Sequence, residues 1–282
     1  MKSLLVFRPF NLLIVAILQM VTFYYLDFDH APINRELIGL VLASICITAA
    51  GYVFNDWMDR PADQINKPSK TYISSWSKLL FWMTYIILSA LGLALCLLIS
   101  IQLFYYYLCV ALLLIVYTLV LKRLPLIGNF SVSLLAAFSV YVVFLVFGTQ
   151  DRKLIIFYAG FAALITYVRE IVKDMEDIEG DTSVGYRTFP VLAGIRQSRM
   201  IVLITSVFSL VSYSNLLLQW VKGQFNMPTQ GVVMAYHALC VLLPLIALVY
   251  FAYTSEQKSD YSRLSTIAKY IMVTGLLSMM FY

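Results

Sequence analysis

Nine apolar runs, each long enough to cross the hydrocarbon core of a bilayer as a helix, constrain this chain more than any other feature. They lie at about 10–26, 36–54, 79–100, 103–121, 130–149, 154–172, 199–221, 230–253 and 264–282. About 20 apolar residues suffice to span the core. Hydrocarbon offers the backbone no hydrogen-bond partner, so each run must satisfy its own amides by winding into a helix. The expected fold is therefore all-α, a polytopic membrane bundle of about nine transmembrane helices. Composition agrees: 61% of the 282 residues are hydrophobic and 12% charged, where a soluble domain carries about 25%. The first run follows Lys2 and Arg8 as a signal peptide would. No small-residue cleavage site comes after it, and the expectation is a retained helix.

The basic residues sort by side. If the loops alternate across the membrane, only Arg35, Arg152, Lys153 and Lys222 fall opposite the N-terminus, and the remaining 16 of the 20 Lys and Arg share its side. Lysine and arginine are retained in the cytoplasm, so the N-terminus is expected inside, in the inner membrane of a bacterial or archaeal cell. The long polar connections, 55–78 and 173–198, lie on that same face, which would turn the working surface to the cytoplasm. The chain reads as one domain over 1–282. Two four-helix units, about 1–125 and 126–253, would be followed by a ninth helix. A net charge of +5 gives no reason to expect a nucleic-acid partner.

Acids break the apolar pattern twice. Nine of the 15 lie in two clusters, each directly after an apolar run. The first is Asn55-Asp56-Trp57-Met58-Asp59-Arg60-Pro61-Ala62-Asp63. Asn55, Asp59 and Asp63 recur every four residues and share a helical face, where like charges repel unless a cation intervenes. Pro61 breaks the helix near residue 57 unless it sits in the first turn of a new piece. In the second cluster Asp174, Asp177 and Asp181 form one stripe, and Arg169, Lys173 and Asp177 another, so acids and bases can reach one polar pocket. Glu176 and Glu179 are expected to face solvent, Asp56 to be secondary, and Gly180 to end the helix.

Mg²⁺ takes oxygen ligands and is usually held by one or two carboxylates together with water and substrate phosphate. Two facing acidic clusters therefore suggest Mg²⁺ on a diphosphate, with two Asp from one helix and two from the other. His30 and His237 are isolated, and Cys46, Cys96, Cys109 and Cys240 sit inside apolar runs without paired spacing, which speaks against zinc or iron. Three bases admit two readings. Arg8 at the start of span one, Lys67 after the first cluster and Lys122 at the end of span four either grip phosphate or anchor the chain to the cytoplasmic interface. For Lys70 and Lys78 anchoring is preferred. Inward-facing aromatics could line a tunnel and stabilise an allylic cation.

These residues resemble the UbiA superfamily of intramembrane prenyltransferases. Asn55–Asp63 matches its first motif, N-D-x-x-D-x-x-x-D, and Asp177–Asp181 its second, D-x-x-x-D. Similar to family patterns are also Arg8-Pro9-x-Asn11, Tyr117 with Lys122, and Gly180-Asp181 with Gly185 and Thr188-Phe189-Pro190. The resemblance implies a nine-helix bundle open laterally to the bilayer. It implies Mg²⁺–diphosphate bound by Asn55, Asp59, Asp63, Asp177 and Asp181, with Lys122 and Arg8 assisting, and Asn11, Lys67, Tyr117, Arg169, Lys173 and Asp174 as further substrate contacts. Where the family often reads N-K-P-x-R-P, this chain has Asn66-Lys67-Pro68-Ser69-Lys70-Thr71 and lacks the Arg-Pro pair. The run from Arg169 to Asp181 looks most like the geranylgeranylglycerol-phosphate geranylgeranyltransferase branch. That branch implies a polyprenyl diphosphate donor and a prenylglycerol phosphate acceptor. Prenylation of an aromatic quinone precursor or a porphyrin uses the same acids and is the alternative. An ion-coupled transporter would place its carboxylates near the bilayer midplane, whereas here they sit at span ends. A phosphotransferase would need D-x-x-D-G-x-x-A-R, which is absent.

Overall fold

The computed structural model describes residues 2–26, 33–66, 72–148, 152–222 and 231–281. Thirteen α-helices run in order: α1 (Pro9–Leu26), α2 (Arg35–Met58), α3 (Arg60–Asn66), α4 (Lys78–Ile99), α5 (Ile101–Leu119), α6 (Ile127–Phe147), α7 (Arg152–Glu176), α8 (Ile178–Ser183), α9 (Phe189–Ala193), α10 (Ile195–Val221), α11 (Gly231–Tyr236), α12 (Leu243–Thr254) and α13 (Lys258–Leu277). No strand occurs among the described residues. Eight spans among them are long and apolar enough to cross a membrane, and α1 is a shorter apolar helix beside them, so the nine expected runs all appear as helices. Leu98 is 83% exposed, Val232 76% and Leu79 70%. Large apolar side chains displayed this freely suit lipid rather than water. The chain is an integral membrane protein.

Helix ends follow local chemistry. Asn34 Oδ1 accepts from the Leu37 amide at 2.8 Å. Ser77 and Ser100 cap α4 and α5 through their Oγ atoms, each at 3.1 Å, satisfying amides that a helix start leaves open. Between α11 and α12, His237–Leu242 widens into a π-helix. Pro244, in the next turn, has no amide hydrogen and its ring presses on the carbonyl four residues back. The wider turn relieves that clash.

α7 is the central element, packing against α6, α10 and α13, while α2 packs against α4, α1 and α5. Both stop where their acidic clusters begin. α2 ends at Met58, Asp59 caps it, and α3 restarts with Pro61 in its first turn. The Asp63 amide still bonds the Asp59 carbonyl at 2.9 Å, so the four-residue register survives the proline. α7 ends at Glu176, and Asp177 caps the short α8. Two expectations are thus corrected. Asp174, Asp177 and Asp181 lie on two helices, not one, and Gly180 sits buried inside α8 rather than ending a helix. The turn falls at Gly185, with φ +75, a value glycine adopts without strain. α3 and α8 pack against each other, which joins the two acidic clusters.

Candidate active site

A cavity of about 840 Å³ opens between α1, α2, α5, α6, α7 and α13. Its walls change character along its length. Near α3 and α8 they carry Asn55, Asp56, Asp59, Asp63, Asp177 and Asp181; deeper, they carry Ile14, Leu18, Val110, Leu135 and Met272. A charged head and an apolar tail are the features such a space would match.

Asp59 is the hub of the charged end. Asn55 Nδ2 donates to its Oδ2 at 2.8 Å. The Lys122 ammonium forms an ion pair with the same oxygen and also lies 3.5 Å from Asn55 Oδ1. The other oxygen, Oδ1, is buried without a hydrogen-bond partner. A buried carboxylate oxygen left so is costly and well suited to a cation. Asp181, across α3 and α8, is 8% exposed and accepts from Thr188 Oγ1 at 3.2 Å. Burial and the neighbouring Asp177 push its carboxyl up to about 6, opposed by the Thr188 hydrogen bond and Lys122. Asp63 lines the same end.

The donor set fits a hard divalent ion. It is oxygen-rich, contains no sulfur or imidazole, includes a bare buried oxygen at Asp59, and pairs carboxylates that repel each other. Among the described residues no three acids converge closely enough to hold an ion unaided. Mg²⁺ usually takes one or two carboxylates and completes its shell from phosphate and water.

A second, separately wired group lies beside this one. Arg8 donates from Nη2 to Asp56 Oδ1 at 2.5 Å and lies 4.8 Å from the Tyr52 ring centroid. Its φ is +49, although a residue before proline normally takes an extended backbone. The ion pair with Asp56 and the Tyr52 ring hold the guanidinium at the mouth. On α7, Glu170 bridges Arg169 at 2.8 Å and Lys173 at 3.2 Å, and Asp174 accepts from Asn129 Nδ2 at 2.7 Å. All of these residues line the cavity, as do Asn11, Tyr117 and Lys269. Glu176 is half-buried and Glu179 exposed; neither lines it.

Every residue expected at the site therefore faces this one space, except Lys67, which lies outside the described residues. The Asn66–Thr71 departure lies largely outside them as well. Sequence reasoning missed Asn129, Tyr52, Tyr186 and the bridging place of Glu170. Asn129 and Tyr52 carry no charge and match no spacing, so only packing reveals them. Asp56, set aside as secondary, holds Arg8. The Tyr186 ring faces Lys122 and Arg123 at 5.7 and 5.3 Å.

Gly128 holds this geometry together. A Cβ there would stand 2.8 Å from Lys122 Cα and 2.9 Å from the Leu121 carbonyl oxygen. Both are backbone and cannot swing away. Overpacking of this kind costs about 1–3 kcal/mol, and here it moves Lys122. Gly128→Ala is expected to raise KM for the anionic substrate and lower the melting temperature; steady-state kinetics and a thermal melt read both.

The family model described as the UbiA prenyltransferase family matches residues 13–270. Digeranylgeranylglyceryl phosphate synthase of Methanosphaera stadtmanae is 28% identical over 246 residues, covering 85% of each chain. That of Pyrococcus abyssi is 30% identical over 209 residues, covering 73% of this chain and 74% of its own. A solved digeranylgeranylglyceryl phosphate synthase superposes with a TM-score of 0.74 at 24% identity, over 99% of this chain and 96% of the other. A UbiA homologue from Archaeoglobus fulgidus, bound to GPP and Mg²⁺, gives 0.70 at 17% identity, over 99% and 100%. The two structures show a shared fold.

Proposed function

The chain belongs to the UbiA prenyltransferase family, and we propose that it transfers the prenyl group of geranylgeranyl diphosphate to the free hydroxyl of a geranylgeranylglyceryl phosphate. The observation that carries this reading is the cavity itself: facing carboxylates and a lysine at one end, an apolar channel behind them. The relatives named for this product supply the acceptor.

Asp59, Asp63, Asp177 and Asp181, with the Asn55 amide, would hold Mg²⁺ against the diphosphate. When bound, the ion supplies positive charge as negative charge grows on the leaving oxygens. Lys122, already at the carboxylates, turns its ammonium to the same phosphate oxygens. Fixed charge placed where charge develops lowers the barrier in a site that excludes water. The C–O bond to the allylic carbon breaks and the diphosphate leaves with the electron pair. Tyr117 lines the same space and would stabilise the electron-poor carbon through its π face. The acceptor oxygen then forms the new C–O bond and gives up its proton to the departing diphosphate. The Arg169–Glu170–Lys173 group, with Arg8, carries net positive charge and offers a place for the acceptor's own phosphate, apart from the metal site.

The same reading sets the orientation. With the basic residues on the cytoplasmic side, the charged mouth opens to the cytoplasm, where both substrates' phosphates can enter. The two-unit organisation is part of the proposal. It is supported by the parallel between α2–α3 and α7–α8, each a long helix followed by a short acidic one.

A competition assay tests the acceptor. Purified protein is given labelled geranylgeranyl diphosphate, Mg²⁺ and equal amounts of geranylgeranylglyceryl phosphate, 4-hydroxybenzoate and haem. The label is expected almost wholly in a two-chain glyceryl phosphate. Label in the aromatic acid or the porphyrin instead would replace this acceptor with the other branch.

A further inference from the structure

One cation on the cavity wall has no acid beside it. Lys269 lies about 16 Å of rise into α13 and lines the cavity. A charge this far inside a membrane-crossing helix is costly and is kept where it meets a partner or a ligand. Among the described residues no carboxylate pairs with it. Its ammonium rests instead over the exposed Phe10 ring of α1, 4.2 Å from the centroid. α7 brings a second cation level with it. The two helices run antiparallel: Phe161 stands against Gly275, and Thr166 Oγ1 donates to Met272 Sδ at 3.7 Å. One step nearer the acidic end of α7, and one step back along α13, come Arg169 and Lys269, each about 4.5 Å further on. The two like charges repel. Arg169 Nη1 donates to Glu170 at 2.8 Å, but Glu170 also holds Lys173, so that carboxylate is already occupied. Arg169 Nε is buried and has no hydrogen-bond partner, which is unfavourable for an N–H removed from water. An ammonium without an acid and a guanidinium N–H without an acceptor thus belong to neighbouring residues of one wall.

We propose that Lys269, together with Arg169 Nε, binds the phosphate of the acceptor and makes the enzyme select a phosphorylated acceptor over a neutral one. The inference rests on the prenyl-transfer reading and deepens it by assigning acceptor selection to a residue of α13. A phosphate monoester carries a charge of about −1.5 to −2 at pH 7 and offers three strong acceptor oxygens. One oxygen takes the Arg169 Nε–H and another the ammonium, and the negative charge relieves the repulsion between the two cations. Lysine suits this task because its ammonium is a compact donor on a flexible stem. Its contact with an exposed ring is weak beside a charge-assisted hydrogen bond in a site removed from water, so Lys269 leaves Phe10 when phosphate arrives. The diphosphate of the donor is provided for elsewhere, by Lys122 and the polar groups around Asp59. A prenylglycerol without its phosphate would leave both donors unmatched.

The test uses full-length protein in detergent with labelled geranylgeranyl diphosphate and Mg²⁺. Geranylgeranylglyceryl phosphate and geranylgeranylglycerol, the same lipid without its phosphate, are compared as acceptors. The wild type is expected to favour the phosphorylated acceptor by at least about tenfold in kcat/KM, the scale of a hydrogen bond to a charged group. Lys269→Met and Lys269→Gln both remove the charge at similar side-chain length. Each should raise KM for the phosphorylated acceptor about tenfold and cut the preference by the same factor, with KM for the donor little changed. Lys269→Arg should recover part of the preference. An acceptor KM unmoved in both uncharged variants would overturn the assignment. So would a donor KM that rises as much as the acceptor KM, which would put Lys269 at the diphosphate instead. Wild-type transfer in either case leaves the prenyl-transfer reading standing. If the wild type prenylates neither acceptor, that reading itself fails, and the role of Lys269 with it.

Discussion

Asp59→Ala is expected to lower prenyl transfer by about 10²–10³-fold or more, the scale seen when one group stabilising developing charge is removed. The hub position of this side chain sets the size of the effect. One carboxylate oxygen is occupied by Asn55 and Lys122, and the other is bare and buried. Removing both oxygens deletes a cation ligand and frees Lys122 at the same time. The bundle should survive, because Asp59 caps α2 through its backbone amide, bonded to the Asn55 carbonyl at 2.9 Å, and not through the carboxylate. Asp177→Ala should behave alike from the opposite cluster. The check is a single-turnover assay alongside size-exclusion elution in detergent. Unaltered transfer in both variants would remove the acids from the metal site.

Lys122→Ala should cost about 10²-fold in kcat/KM, and Lys122→Arg should restore only part of it. The ammonium lies close to both Asp59 and Asn55, inside a pocket bounded by Tyr186. Arginine keeps the charge but brings a wide planar fork where a compact point charge sits. Loss of Lys122 also lifts one positive charge from the carboxylates, so the metal should bind the free enzyme more tightly while the diphosphate binds less well. Titrating Mg²⁺ against each variant with and without an uncleavable geranylgeranyl thiodiphosphate separates the two effects. A lysine serving only to anchor the helix at the interface would leave both titrations unmoved in the arginine variant.

Much of the fold could be read before any coordinates, because hydrocarbon allows few choices. Runs such as 79–100 and 130–149 must become helices, and α4 and α6 match them to within about three residues. The acidic register was equally plain, since Asn55, Asp59 and Asp63 repeat every four residues. Pro61 threatened that register, and the outcome turned on one backbone detail: the proline fell in a first turn, where it is tolerated. The break between α7 and α8 gave no comparable warning. Lys173-Asp174-Met175-Glu176-Asp177 has no proline or glycine, and the restart at Ile178 follows from how α8 packs against α3 and α9.

What sequence could not supply was pairing between distant residues of ordinary type. Asn129 supports Asp174 from 45 positions away, and Ser44 on α2 joins Gln19 on α1 to Tyr107 on α5. Glutamine, serine and tyrosine inside apolar runs look incidental when each run is read alone. They become one hydrogen-bonded cluster only once α1, α2 and α5 are set side by side.

The most direct test of the whole account follows one labelled substrate. Purified protein is mixed with [¹⁴C]geranylgeranyl diphosphate and geranylgeranylglyceryl phosphate, first with a chelator and then with Mg²⁺ added. The account predicts no product before the metal, and after it a labelled two-chain glyceryl phosphate released with one diphosphate per transfer. Label that stays on the diphosphate with Mg²⁺ present, in a protein that also fails to bind that donor, would contradict it.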